Sequence, residues 1–132
     1  MARRNPIEQE NADHRSKMMK IELAQEQNYK MEHEIVKAED QLQDILQRFA
    51  HDGAALQGQG CQSAYIESLE EEFLFQSQDC FATIEEAKET LRAEKRVLDR
   101  KVMEEQDNHL QNLRTLREQE VSVNKQRGSL SG

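Results

Sequence analysis

The side chains that could carry out chemistry are scattered along this chain of 132 residues. None of the four histidines (His14, His33, His51 and His109) belongs to an H-E-x-x-H motif or has the spacing of a Cys/His metal site. The two cysteines, Cys61 and Cys80, are about five helical turns apart and cannot form a disulfide within one straight helix. Gly58-Gln-Gly60 is too short for a phosphate loop, and no strand precedes it. We therefore predict no catalytic residues, no cofactor and no metal site, and hence no enzyme.

The composition is acidic and only moderately apolar. The net charge is −8, with 36% hydrophobic and 33% charged residues. This balance disfavours nucleic acid and anionic membranes as main partners. The sequence has no apolar stretch near the roughly 20 residues that cross a bilayer. Two free thiols and the lack of a signal peptide predict a cytoplasmic protein.

A ten-residue run, His51–Gly60, organises the chain because it contains three of the five glycines. The only proline is Pro6, so the long segments on either side of the run are almost free of residues that interrupt helices. This arrangement predicts an all-α fold, an antiparallel, coiled-coil-like two-helix hairpin with a longer second helix. The predicted boundaries are a flexible arm at 1–6, helix one at 7–50, a turn at 51–62, helix two at 63–126 and a flexible tail at 127–132.

Seam residues in both helices recur at steps of three and four, the heptad pattern of coiled-coil packing. The predicted seam of helix one is Ile21, Ala24, Asn28, Met31, Ile35, Ala38, Leu42, Ile45 and Phe49. In helix two it is Ile66, Leu69, Phe73, Ser77, Cys80, Ile84, Ala87, Leu91, Glu94 and Leu98, followed after a stutter by Val102, Gln106, His109, Leu113 and Leu116. Asn28 either fixes the helix register or lies near a frayed end and contacts water.

An excess of apolar residues lies near the predicted turn. Phe73 fits the seam, whereas Leu74, Phe75 and Phe81 widen the apolar surface beyond what one partner helix covers. Together with two residues of helix one they define the loop-end patch: Leu46, Phe49, Phe73, Leu74, Phe75 and Phe81. Such an aromatic-rich surface on a small helical protein favours a protein interface.

The predicted helices differ in length, which leaves part of helix two without a partner. Folding back about Leu56 places Ile7 beside Glu105, so residues 106–127 would extend beyond helix one. Apolar residues there would need another chain to cover them, unless the region frays. We predict a partner-binding surface formed by the loop-end patch and, farther along helix two, by Leu98, Val102 and Leu113.

Helix two also carries a family resemblance. The segment contains Glu94-Lys95-Arg96, Leu98, Glu104-Glu105, Leu110 and Leu113, and follows the aromatic stretch Glu71-Glu-Phe-Leu-Phe75. In these features the chain resembles the small α-helical proteins encoded beside LXG toxins of the type VII secretion system in Gram-positive bacteria. It lacks the Trp-x-Gly turn and the terminal Tyr-x-x-x-Asp/Glu signal of proteins secreted by that system.

The resemblance implies a non-enzymatic targeting factor or chaperone. Its expected partner is the helical LXG domain of a cognate toxin, alone or with a second small helical protein. It would act in the cytoplasm and either remain there or leave together with the toxin.

Two alternatives use the same hairpin. The first is a self-associating structural or adaptor protein, such as a homodimeric four-helix bundle. The second is a chaperone for an effector of another secretion system.

Overall fold

A computed structural model describes residues 5–60 and 63–131, with side chains up to residue 126. It contains two helices, α1 (Pro6–Gly58, 53 residues) and α2 (Ser63–Ser131, 69 residues), and no strand within the described residues. The two helices contact each other extensively, which confirms the predicted all-α hairpin. The described residues do not include residues 1–4 of the predicted arm, Cys61 and Gln62 of the predicted turn, or the last residue of the predicted tail.

Asn5 caps the start of α1. Its side-chain Oδ1 accepts a hydrogen bond from the backbone N–H of Ile7 at 2.9 Å. This bond satisfies one of the N–H groups that the first turn leaves without a helical partner. Proline suits the first helical position because its missing N–H would have no partner there. Pro6, which we predicted in the flexible arm, therefore belongs to the helix.

At its other end α1 continues through most of the predicted turn, so that residues 51–58 are helical. A glycine such as Gly53 costs a helix only about 1 kcal/mol, and the residues between it and Gly58 include two alanines and a leucine, which favour helix. The chain leaves the helix at Gly60, whose φ of +86° is a left-handed conformation that glycine adopts without strain. The N–H of Gly60 donates to the carbonyl oxygen of Gln57 at 3.1 Å. The described part of the turn is thus limited to Gln59 and Gly60.

α2 begins at Ser63 and continues to Ser131, beyond the predicted end of helix two at residue 126. The late glycine does not interrupt it. Gly128 is a single glycine, and one such residue is too weak a signal to end a helix of this length.

The chain forms two compact units. Unit 1 combines Met1–Gln27 with Lys95–Gly132, and unit 2 is Asn28–Glu94. In each unit a segment of α1 packs antiparallel against a segment of α2.

The pairing in unit 1 contradicts the predicted extension of helix two. Glu10 lies beside His109 and Asn112, and Ile7 lines one cleft together with Leu116. Residues 106–116 are therefore not beyond the reach of helix one. The prediction failed because it folded the chain about Leu56, and each residue by which the fold-back point moves shifts the pairing by two residues.

The seam of unit 2 also differs from the predicted heptad. Ten of the sixteen predicted positions are buried or half-buried: Asn28, Ile35, Leu42, Phe49, Ile66, Phe73, Ser77, Ile84, Ala87 and Leu91. The others are exposed: Met31, Ala38, Ile45, Leu69, Cys80 and Glu94. At several of these places the next residue along the chain takes the seam position instead, as Glu39, Leu46, Glu70 and Phe81 do. The order of the three- and four-residue steps is therefore reversed in these parts of the seam.

In unit 1 the seam of helix two from Leu98 onward is mostly as predicted. Leu98 and Leu113 are buried, and Val102, His109 and Leu116 are half-buried. Gln106 is exposed, and the neighbouring Glu105 takes its place. A carboxylate can lie at this seam because two histidines lie beside it, as described below.

Candidate functional site

The loop-end patch divides into residues of the seam and residues that face outward. Leu46, Phe49, Phe73 and Phe81 are half-buried between the helices of unit 2. Phe49 and Phe73 stack with a ring-centroid distance of 4.3 Å and an interplanar angle of 19°. These four side chains therefore hold the hairpin together within unit 2.

The two remaining residues of the patch face away from the seam. Phe75 is 69% exposed and Leu74 is 53% exposed. Successive side chains on a helix are separated by about 100°, so Phe75 points about 200° away from Phe73 and cannot reach the seam. These two side chains are the part of the predicted patch that another protein can reach directly.

Carboxylates surround Phe75 on the outward face of α2. Glu71 and Glu72 precede it by four and three residues, and Asp79 follows it by four, so all three lie on the same side of the helix. All three are exposed. The outward face of unit 2 thus combines one exposed aromatic ring with a ring of negative charge.

The three predicted partner-binding residues outside the patch lie in unit 1. Leu98 is 6% exposed, Leu113 is 9% exposed and Val102 is half-buried. Burial on this scale removes most of each side chain from contact with other proteins. In unit 1 these residues serve the packing of the hairpin.

Sequence reasoning missed an outward apolar cleft on α1. Met19 and Leu23 are exposed and line a shallow cleft with Ser16, Lys20 and Gln27. Met19 and Leu23 are four residues apart, the spacing of neighbours on one helix face. This spacing was visible in the sequence, but neither residue lies on the heptad that begins at Ile21.

Sequence reasoning also missed a cluster of four titratable side chains in unit 1, which we name the His–Glu cluster: Glu10, His14, Glu105 and His109. Nδ1 of His14 lies 3.0 Å from Oε1 of Glu105, and Nδ1 of His109 lies 3.2 Å from Oε1 of Glu10. The imidazole rings stack with a centroid distance of 3.8 Å and an interplanar angle of 7°. The signal for this cluster is a repeated motif, a glutamate four residues before a histidine, once in each helix.

The seam of unit 2 holds two polar contacts between the helices. Asn28 is 5% exposed and its Nδ2 donates a hydrogen bond to the carbonyl oxygen of Leu91 at 3.0 Å. The ammonium group of Lys88 forms a salt bridge with the carboxylate of Glu39. This carboxylate, with that of Glu85, raises the pKa of Lys88 above its ordinary value of 10.5. Both contacts can align α1 against α2.

The described residues offer few of the features of other functional classes. They contain no group of three or more His, Cys, Asp or Glu side chains arranged to hold a metal ion. No described helix includes a stretch long and apolar enough to cross a membrane. Compared with known proteins, the chain matches no protein family, no curated protein and no solved structure.

Proposed function

We propose that this chain is a non-enzymatic targeting factor or chaperone that binds the helical LXG domain of a cognate type VII toxin and promotes its export. It would act in the cytoplasm and either stay there or leave with the toxin. The observation that carries the proposal is the exposure of Phe75, with Leu74 beside it, on the outward face of unit 2. The resemblance of helix two to proteins encoded beside LXG toxins supplies the kind of partner.

The position of Phe75 favours a contact with another chain. The seam of unit 2 is already filled by the stacked rings of Phe49 and Phe73. Burying an exposed phenylalanine side chain stabilises by about 1.5–3 kcal/mol, but the hairpin itself leaves Phe75 exposed. An apolar helix face of a partner that packs onto this ring would bury it and be stabilised by this free energy.

The charge around Phe75 favours a different chain over a second copy of the same one at this face. Two copies meeting through Phe75 would bring Glu71, Glu72 and Asp79 of each against the same carboxylates of the other. Like charges in contact cost binding energy and slow association. A partner helix with lysine or arginine beside its apolar residues avoids this cost.

Self-association remains the second candidate, and the cleft formed by Met19 and Leu23 favours it. This cleft carries one base, Lys20, and no acid among its lining residues. Two copies could pack through such a surface with little repulsion and form a four-helix bundle. Light scattering at low micromolar concentration distinguishes the candidates, because a stable dimer in the absence of any partner favours self-association.

The proposal is tested by affinity purification of the tagged protein from a lysate of its own host, followed by mass spectrometry. We expect recovery of a toxin with a long helical N-terminal domain. The double substitution Leu74→Asp plus Phe75→Asp should abolish this recovery while the helical circular dichroism of the isolated chain is kept. Phe73 is left unchanged, because Phe73→Asp would damage the seam.

The matched control is Gln41→Asp plus Gln43→Asp. It adds the same two charges to unit 2 at exposed positions of α1, on the other helix from Phe75. The control should bind the toxin as the unmodified protein does. Equal binding by the Leu74/Phe75 variant would contradict the assignment of this face, and recovery of the bait alone as a dimer would favour self-association.

A further inference from the structure

The His–Glu cluster has a defined arrangement of hydrogens at neutral pH. An ionised carboxylate can only accept hydrogen bonds, so Nδ1 of each neutral ring carries the hydrogen that it donates to a glutamate. Nε2 of each ring is then the atom that can take up a further proton. Histidine is the side chain that ordinarily gains this proton between pH 8 and 5.

The charged groups that face the two rings come from both helices. From α1 they are Glu10 and Lys17, whose Nζ lies 4.0 Å from Oε2 of Glu105. From α2 the charged group is Glu105, and Asn112 adds an uncharged donor, 3.1 Å from Oε1 of Glu10. While both rings are neutral, two carboxylates therefore face one ammonium group. The four cluster side chains are only 12–19% exposed, so water screens their charges in part.

We propose that the His–Glu cluster is a proton-binding site that strengthens the packing of unit 1 when the pH falls from 8 to about 6. One added proton turns one ring into an imidazolium ion that is hydrogen-bonded to a carboxylate and stacked on a neutral ring. Charge-assisted hydrogen bonds are roughly twice as strong as neutral ones, and a cation is attracted to the face of an aromatic ring. The added proton also balances the excess negative charge of the cluster.

The sign of the effect follows from proton linkage. In the unfolded chain Glu10 and His109 are far apart, as are Glu105 and His14, so a protonated ring has no paired carboxylate from the other helix. The charge-assisted hydrogen bond to a carboxylate is therefore available only in the folded protein, and we expect the stability to rise as the pH falls. A second proton gives a smaller gain, because it places two positive rings at a centroid distance of 3.8 Å.

The stabilisation has a lower pH limit set by the carboxylates. Burial acts to raise the pKa of Glu10, but hydrogen bonds from Asn112 and His109 outweigh it and hold this pKa below its ordinary value of 4.5. The contribution of Glu10 is therefore complete above pH 4.5 and is lost as the pH falls through its lower folded-state pKa. Unit 1 is expected to be most stable at mildly acidic pH.

The test is thermal unfolding of the full chain, followed by circular dichroism at pH 8, 7 and 6. The melting temperature should rise by about 3 °C from pH 8 to pH 6, the scale expected for one interaction in a chain of this size. His14→Gln plus His109→Gln should remove the rise. His33→Gln plus His51→Gln should keep it, because both of these histidines are exposed and His33 contacts Tyr29 of its own helix.

A third variant keeps both rings and so tests the mechanism even if the glutamine substitutions at the histidines weaken folding. Glu10→Gln plus Glu105→Gln removes the carboxylates, and protonation then places positive charge between uncharged amides. The melting temperature of this variant should fall, not rise, from pH 8 to pH 6. A flat or falling profile in the unmodified protein, or a rise that persists without His14 and His109, would overturn the proposal.

Discussion

The amide group of Asn28 donates a hydrogen bond across the seam of unit 2 to the carbonyl oxygen of Leu91, at a distance of 3.0 Å. Asn28 is 5% exposed, so it does not lie at a frayed end in contact with water. Of the two interpretations that the sequence left open, the cross-helix contact is therefore the one the structure supports. A buried polar group at one seam position can specify which residues of two helices face each other, at a cost in stability.

Replacing Asn28 should show that it aligns α1 against α2 at a cost to the stability of the hairpin. Asn28→Leu fills the seam with an apolar side chain, and the carbonyl of Leu91 keeps its helical hydrogen bond. We expect this variant to be more stable to thermal unfolding by about 1 kcal/mol. We also expect it to form a mixture of helix alignments or association states in place of a single one. Circular dichroism melts give the first quantity, and light scattering gives the second.

Asn28→Asp is the matched contrast, since it is nearly the same size. It places a carboxylate at a buried position and next to a carbonyl oxygen, which it cannot bond when ionised. We expect it to lower the free energy of unfolding by about 2 kcal/mol or more at pH 7. If the leucine variant is less stable than the unmodified protein, Asn28 contributes net stability and the alignment argument is wrong.

Replacement by alanine should change the stability of the protein in opposite directions at two glycines of the His51–Gly60 run. A Cβ built at Gly53 would meet the carboxylate of Glu70, the mobile end of a long side chain, and would lie 3.6 Å from Cγ2 of Ile66. Glu70 can move aside, so Gly53→Ala should stabilise the protein by about 0.5–1 kcal/mol through better helix propensity. At Gly60, φ is +86°, and Gly60→Ala should destabilise it by about 1 kcal/mol.

Urea denaturation of both variants measures this difference, with Gly58→Ala as the control. Apart from the adjacent residues and the backbone of its own helix, no atom of the described residues lies within 4 Å of a Cβ at Gly58, and φ is not in the left-handed region there. Destabilisation by Gly53→Ala that exceeds 1 kcal/mol would mean that Glu70 is held in place and that Gly53 is required for close packing.

The fold was predictable from a few strong signals. Two long segments almost free of glycine and proline, joined by a run with three glycines, were enough to predict two helices and their antiparallel pairing. The end of α1 was less predictable, because Gly53 and Gly58 lie within a helix and only Gly60 adopts a left-handed conformation. Composition cannot distinguish these roles, since they depend on what packs against each glycine.

The candidate site depended on details that periodicity leaves open. Ile45 and Leu46 are both apolar, so either could occupy the seam, and the structure places Leu46 there. The His–Glu cluster could not be predicted from the sequence for a related reason. With the fold-back point at Leu56, Glu105 would face Ile7, and only the register of the actual turn brings it to His14.

The stacked rings of Phe49 and Phe73 should matter more for stability than the exposed ring of Phe75. Phe73→Ala removes a half-buried side chain that contacts the other helix, and we expect a loss of about 2 kcal/mol in the free energy of unfolding. Phe75→Ala removes a side chain that is 69% exposed and should change stability by less than about 0.5 kcal/mol. Urea denaturation of the two variants at pH 7 compares them directly, and equal losses would contradict the division of the patch into seam and outward residues.

The salt bridge between Lys88 and Glu39 predicts a dependence of stability on alkaline pH. The Glu39 carboxylate raises the pKa of Lys88 above 10.5. The stability from this interaction is therefore fully present below pH 10.5, the ordinary lysine value, and is lost as the pH rises through the higher pKa of the folded state.

Glu39→Gln should lower the melting temperature at pH 7 and pH 9 by similar amounts. Above pH 10.5 the difference between the variant and the unmodified protein should shrink, whereas Glu34→Gln, at an exposed position of the same helix, should give no such convergence. A constant difference up to pH 11.5 would show that Glu39 acts through its packing and not through the charge of Lys88.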